Sequence, residues 1–204
     1  MKGLKIYNTL SGKKETIKPL KKGRINFFVC GPTVYDYSHI GHARTFVIFD
    51  AFAKYLKERG LKVFYLQNIT DLDDKIIARA KEKGVLPKDL ARVFEKEHLK
   101  NMKALKVDSV IKYARATDYI KEIISQVKRL WAKGYAYEIK DDGIYYNISK
   151  FKKYGKFSGR TVIQAEDSVS RIDYSKDKKN RGDFCLWKLS SIEEEPSWKS
   201  PFGK

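Results

Sequence analysis

The chain has 204 residues, 42% of them hydrophobic, and Lys and Arg outnumber Asp and Glu by 43 to 25, a formal net charge of +18. That apolar content can bury a real core, in one large domain or in a domain carrying an insertion, while two cysteines exclude a disulfide scaffold and point to a reduced, cytoplasmic setting. No apolar run approaches the ~18 residues of a membrane span, and the positive excess, spread from Lys2 to Lys204, favours a polyanionic partner such as RNA, DNA or an anionic membrane surface.

In chain order, residues 4–10 read as a short strand leading into a turn at Ser11-Gly12. The bounded apolar run Arg24-Ile25-Asn26-Phe27-Phe28-Val29-Cys30 has the character of a buried parallel strand. A helix is expected from His39 to Arg59, with Phe46, Phe49, Phe52, Ala53 and Leu56 at helical spacing and Gly60 as its C′ residue. Lys62-Val63-Phe64-Tyr65-Leu66 is the next strand, which completes a βαβ unit, implies a parallel sheet and predicts a right-handed crossover. Ligands of such sheets bind outside the carboxyl ends of the strands, where Cys30, the loop after it and Asn68-Ile69-Thr70 all fall.

A helix then starts near Asp71, with Asp71 and Asp74 spaced as in a capping box, Ile76, Ile77 and Ala80 as its stripe, and Gly84 at its end. Pro87 suits the first turn of another helix reaching about Leu105. One more follows Thr117, burying Ile120, Ile123, Ile124, Val127, Leu130 and Trp131 and closing at Gly134. Past that point the texture changes. Two β-prone runs, 135–139 and 144–148, flank Lys140-Asp141-Asp142-Gly143, a strong hairpin signal. A lysine-rich stretch at 176–179 precedes a further strand over Asp183–Lys188. Residues from 135 onward therefore read as a β-rich insertion on an α/β core.

The chemistry concentrates in Cys30-Gly31-Pro32-Thr33-Val34-Tyr35-Asp36-Tyr37-Ser38-His39-Ile40-Gly41-His42. His39 and His42 share a face at the first turn of a helix, where free N–H groups and the helix dipole favour an anion, so their imidazoles can clamp the phosphates of ATP. Gly41 leaves no side chain between them, which would let an adenine ring approach the backbone. Cys30 has two readings, a small buried hydrophobe or a metal ligand; zinc usually takes four protein ligands, and neither Cys185 nor His98 stands at a spacing that suggests a shared site. Asp71 and Asp74 read as helix caps, the three tryptophans as core or interface aromatics, and His98 as a packing or surface residue. Nothing supports a P-loop or a Ser-His-Asp triad.

These motifs resemble those of the cysteinyl-tRNA synthetase family, class I aminoacyl-tRNA synthetases. The resemblance rests on Cys30–Asp36 with His39-Ile40-Gly41-His42-Ala43-Arg44-Thr45-Phe46 and on Asn68–Ile77. It extends through Arg115-Ala116-Thr117, Tyr154–Arg160, Asp183–Lys188 and Glu195–Pro201, and so covers essentially the whole sequence. It implies the first half of a Rossmann-like, HIGH-type nucleotide-binding parallel sheet over 1–134 and a connective insertion over 135–204. It also implies synthesis of cysteinyl-adenylate from cysteine and ATP with Mg, followed by transfer of cysteine to the 3′ end of its tRNA. Carried over by motif, Cys30 would be the first zinc ligand, Thr33, His39, Gly41 and His42 would face ATP, and Gly31 and Thr70 would line the cysteine pocket. A thiolate-seeking zinc ion that binds the substrate sulfur would reject serine.

The family's other zinc-ligand blocks, its second ATP-binding loop and its anticodon-binding domain are not in this sequence, so the expectation is a fragment or half of a split enzyme, weak alone, whose remaining zinc ligands lie beyond Lys204. Asn180-Arg181-Gly182 also departs from the family's Asn-Pro. Two rivals stand beside this reading: a cysteine ligase acting on an amino sugar, and a non-catalytic RNA-binding module.

Overall fold

The computed structural model describes residues 3–159, 176–190 and 195–204. Arg160, the last residue of the Tyr154–Arg160 block, lies outside them. In chain order the strands are β1 (Lys5–Asn8), β2 (Lys13–Thr16), β3 (Arg24–Val29), β4 (Lys62–Ile69), β5 (Lys112–Arg115), β6 (Ala136–Ile139), β7 (Gly143–Tyr146) and β8 (Phe184–Lys188). The helices are α1 (Ile40–Glu58), α2 (Asp74–Lys83), α3 (Pro87–Ala104) and α4 (Ile120–Ala132). Contacts divide the chain into two compact units, one holding Ile17–Tyr119 and the other Leu4–Thr16 with Ile120–Lys204.

In the first unit β3, β4 and β5 form a parallel sheet in that order. Helix α1 is the crossover between β3 and β4, as the βαβ pattern predicts, and α2 and α3 connect β4 to β5. Val29, Phe46, Ala53, Tyr65, Met102 and Val107 make one core cluster. A second joins Val34 and Ile69 to the apolar sides of α2 and α3. β3 is buried on one face only; Arg24, Asn26 and Phe28 are exposed on the other, unlike the fully buried strand expected of a parallel sheet. β4 runs three residues past the predicted end at Leu66, because Gln67, Asn68 and Ile69 continue the pairing with β5.

The buried stripe of α1 passes through Phe46, Asp50, Ala53 and Leu56, which leaves Phe49 38% exposed. Asp50 is tolerated inside because it accepts from the backbone N–H groups of Asp108 (3.0 Å) and Ser109 (2.8 Å) and pairs with Lys54 at 2.7 Å. Those backbone bonds anchor the segment that leads into β5. The cap of α2 is Asp73, whose side chain accepts from Lys75 N–H; Asp71 does not cap. It is buried and accepts from the Thr117 amide at 3.0 Å and the Thr117 hydroxyl at 2.6 Å, with Arg92 at 3.2 Å. A carboxylate with three such donors has no need of a helix terminus.

In the second unit β1 and β2 form an antiparallel hairpin whose turn includes Gly12 at φ 68. β6, β7 and β8 form a separate antiparallel sheet. The β6–β7 turn places Asp141 at φ 60, a conformation that Asp tolerates better than most residues. α4 lays Val127, with Ile120, Ile123 and Ile124, against Ile144 and Trp187. Asp183, fully buried, accepts from Tyr137 Oη (2.7 Å), Ile148 N–H (2.9 Å) and Asn180 N–H (3.0 Å). Asn180, the first residue of the departing Asn-Arg-Gly triplet, is thereby built into the sheet's end.

Candidate active site

At the carboxyl edge of the parallel sheet, the β3–β4 pairing extends past Val29 by side-chain and loop contacts. Gly31 N–H donates to Asn68 Oδ1 at 2.8 Å, Thr70 N–H to Pro32 O at 3.0 Å, and Val34 N–H to Thr70 O at 3.1 Å. Thr33 and Thr70 face each other as a parallel bridge. Asn68 also donates through Nδ2 to Thr70 Oγ1 at 3.0 Å, which leaves the Thr70 hydroxyl proton free to point elsewhere. Gly31 has to be glycine: a methyl carbon there would lie 1.8 Å from the Asn68 carbonyl oxygen. Gly31, Thr33 and Thr70 are thus brought to one junction, and Asn68, part of a quoted motif but given no role from sequence, is the residue that ties it. Asparagine's dual donor and acceptor character was the available signal.

The loop between this junction and α1 is pinned from three sides. Tyr37 packs edge-on against Phe94 at 5.2 Å, Asp36 pairs with Arg79 at 3.5 Å, and Ser38 Oγ hydrogen-bonds His98 Nδ1 at 3.2 Å. His98 is 2% exposed, not a surface residue, and also meets the ring of Phe46 at 5.3 Å. Burial, reinforced by nearby His42, pushes its pKa down to about 4 from the ordinary 6.5, against a smaller upward pull from Glu95.

A histidine held neutral in the fold but protonated when unfolded takes up protons on unfolding between those two values, so stability falls as pH drops through that window. Its contribution is expected to be on the order of 3 kcal/mol, present above pH 6.5 and lost towards pH 4. Urea midpoints at pH 7 and pH 4.5 for the parent and for His98→Gln measure this. A smaller acid-induced drop in the variant is expected; an unchanged drop contradicts it.

His39 is the N-cap of α1, and both histidines are committed to the helix end through one nitrogen. His39 Nδ1 accepts from Gly41 N–H at 3.0 Å, and His42 Nδ1 accepts from His39 N–H at 3.2 Å, a reciprocal capping box. A nitrogen that accepts an N–H bond carries no proton, so each neutral ring holds its proton on Nε2. The rings stack at 3.9 Å, and burial followed by the charge of His39 lowers the pKa of His42, which favours this neutral form. Two Nε2–H donors and the open N–H groups of a 19-residue helix therefore share one end of α1. The glycine between them has a further purpose: a methyl carbon at Gly41 would sit 2.8–2.9 Å from the His39 ring.

Cys30 is an exposed free thiol that lies 3.8 Å from the Gly31 carbonyl oxygen. Among the described residues no group of three or more His, Cys, Asp or Glu could hold a metal ion. Cys30 is chemically suited to one corner of a zinc site, and the described residues do not supply the other corners. A second polar cluster lies under the sheet edge: buried Glu95 takes Arg115 at 2.8 Å and Arg92 at 2.6 Å, and Arg92 continues to Asp71, the residue after Thr70. No helix of the described residues is long and apolar enough to cross a membrane.

A short parallel sheet with a histidine-capped helix at its carboxyl edge is the architecture of class I tRNA synthetases. Solved structures bear this out for the fold. Mycobacterium tuberculosis methionyl-tRNA synthetase in complex with methionyl-adenylate superposes with a TM-score of 0.52 at 23% identity, over 61% of this chain and 25% of that one. The LeuRS–tRNA–LeuAMS ternary complex of Agrobacterium radiobacter K84 gives 0.52 at 20% identity, over 65% and 18%. Residues 16–204 match the family "tRNA synthetases class I (C) catalytic domain", and the chain belongs to that family. Among curated relatives, the cysteine–tRNA ligase of Thermoplasma volcanium is 52% identical over 98% of this chain and 43% of its own length. That of Thermococcus kodakarensis is 50% identical over 99% and 42%. The chain thus spans less than half the length of the curated relatives it matches.

Proposed function

We propose that the chain is the amino-terminal catalytic portion of an enzyme that ligates cysteine to its tRNA with ATP. A cysteine carboxylate oxygen attacks the α-phosphorus of Mg-bound ATP, the bond to the β-phosphate bridge breaks and pyrophosphate leaves. A hydroxyl of the tRNA 3′-terminal ribose then attacks the adenylate's carbonyl carbon, losing its proton, and the bond from that carbon to the phosphate oxygen breaks so that AMP leaves. The observation that carries this reading is the histidine pair: each Nδ1 is consumed by the helix cap, so each ring offers a fixed Nε2–H donor at a helix N-terminus. Fixed donors aimed where charge accumulates need no reorganisation during reaction. In this role His39 and His42 stabilise phosphate charge, with the Gly41 backbone alongside ATP, and neither ring has to act as acid or base.

The Gly31–Thr70 junction would hold the cysteine beside Thr33 and the phosphates, and the reaction then depends largely on positioning. Residues 135–204 would belong to the connective insertion and 1–134 to the first half of the nucleotide-binding domain. Zinc, when bound, would supply a soft centre for the substrate sulfur; Cys30 would hold it, together with ligands that the described residues do not supply. This chain alone is accordingly expected to retain far less than stoichiometric zinc after dialysis, measured by atomic absorption. Stoichiometric zinc that survives Cys30→Ser would contradict the role given to Cys30.

The acceptor is tested by supplying the chain with the carboxy-terminal portion of a relative and offering labelled cysteine with either tRNA or an amino sugar. Cysteine on the tRNA 3′ end is the expected product; transfer to the sugar alone would refute the proposal. A plain RNA-binding module would bind RNA, bind no ATP, and tolerate His39→Ala and His42→Ala.

A further inference from the structure

Of the chain's three histidines, His98 is the one that the chemistry above does not use. It lies on α3, buried, and its ring meets the start of α1 at two points. Nδ1 stands 3.2 Å from the hydroxyl of Ser38, the residue before the N-cap His39, and the ring is edge-on to Phe46 (5.3 Å, 76°). Phe46 in turn lies parallel to His42 (6.4 Å, 8°), and His42 stacks on His39 (3.9 Å, 28°). Four rings thus follow one another from the interior to the open end of α1.

Packing alone does not explain an imidazole at this position. Nε2 of His98 is buried and has no hydrogen-bond partner among the described residues, an arrangement that costs stability and that leucine or phenylalanine would avoid. What the imidazole adds is Nδ1. Were Nδ1 to accept from Ser38, the ring proton would sit on Nε2 as a buried N–H with no acceptor. With Nδ1–H donating to Ser38 Oγ, only a bare lone pair is buried, the less unfavourable choice. His98 is therefore the opposite tautomer to His39 and His42.

The two capping histidines need support from behind. A hydrogen bond at Nδ1 fixes one atom of each ring and leaves the ring able to tip about that bond, which would swing Nε2 aside. Ring faces stacked on Phe46, and a Ser38 held beside His39, oppose that tilt. We infer that His98 is a positioning residue for adenylate formation: it anchors Ser38, backs Phe46 and so keeps the Nε2–H donors of His42 and His39 in a fixed direction. The kinetic part rests on the function proposed above; the bracing of the rings does not.

Long-range proton–nitrogen correlation spectra of the labelled full chain read the bracing without ATP or cysteine. The three histidines should give two rings protonated at Nε2 and one, His98, protonated at Nδ1. In His98→Leu the third pattern disappears and the His42 pattern should move toward that of a freely tautomerising imidazole; Ser38→Ala should move it the same way. In the enzyme completed with the carboxy-terminal portion of a relative, His98→Leu should lower kcat for pyrophosphate exchange about 10- to 100-fold, with KM for cysteine unchanged and melting within a few degrees of the parent. His98→Asn, whose amide can reach Ser38 from the position of Nδ1, should recover most of the rate. Ser38→Ala should match His98→Leu, and the double variant should be no slower than either. A loss of rate that merely follows melting, or that His98→Asn does not recover, would reduce His98 to packing and overturn the proposal. Parental exchange in His98→Leu, or His42 signals that do not move, would overturn it as well. Braced rings in a parent that exchanges no pyrophosphate would instead refute the proposed function alone.

Discussion

Changing His39 to asparagine is expected to slow cysteinyl-adenylate formation about 100- to 1,000-fold while shifting the melting temperature by only a few degrees. The two effects separate because the residue does two jobs with two nitrogens. Its Nδ1 accepts from Gly41 N–H and caps α1, a task asparagine performs at least as well. Its Nε2–H is not used by the cap, and asparagine is too short to replace it. His39→Ala would remove both, adding about 1 kcal/mol of lost capping to the lost rate. Single-turnover adenylate formation and thermal melting, measured on both variants in the enzyme completed with the remaining polypeptide, check this. Equal rates for His39→Asn and the parent would mean that the imidazole serves only as a cap.

The second large effect is structural in origin. Gly31→Ala is expected to destabilise the first unit by about 3 kcal/mol or more and to abolish activity with it. The added carbon would stand 1.8 Å from the Asn68 carbonyl oxygen and 3.0 Å from the Gln67 side chain, and the nearest obstacle is backbone that cannot rotate away. Relief requires parting the loop from the end of β4, which breaks the Gly31–Asn68 bond and the two bonds that join Thr70 to Pro32 and Val34. Denaturant unfolding gives the energy. A fully stable Gly31→Ala protein would show that the junction is looser than its geometry implies. Gly41→Ala is a milder case, since the atoms it meets belong to a side chain.

Much of the first unit was legible because its signals are local. The apolar run of β3, the helical spacing of α1, the proline that opens α3 and the Asp-Gly turn between β6 and β7 each specify their element from neighbouring residues. β2, Lys-Lys-Glu-Thr with every side chain exposed, carries no alternation to read. β5 is four residues long and is a strand because β4 offers it an edge. Asp71 and Asp74 read as caps by spacing, yet Thr117, 46 residues away, claims Asp71, Asp74 is the first residue of α2 and Asp73 caps it. At the candidate site, the placement of the histidines at a helix start after a strand and loop could be read directly. The division of labour between Nδ1 and Nε2 could not, and neither could the burial of His98 against Ser38, 60 positions earlier. These depend on which backbone groups the fold leaves unpaired, information that no window of sequence contains. Cys30 marks the opposite limit: the structure places it at an exposed strand end, and the zinc role comes from the family resemblance.

The most direct test is cysteine-dependent exchange of labelled pyrophosphate into ATP by this chain together with the carboxy-terminal portion of a relative. Exchange that requires both polypeptides, depends on cysteine, is not supported by serine and collapses in His39→Asn is the predicted result. Absence of exchange under those conditions, or exchange indifferent to cysteine, would contradict the assignment of this sheet edge as a cysteine-activating site.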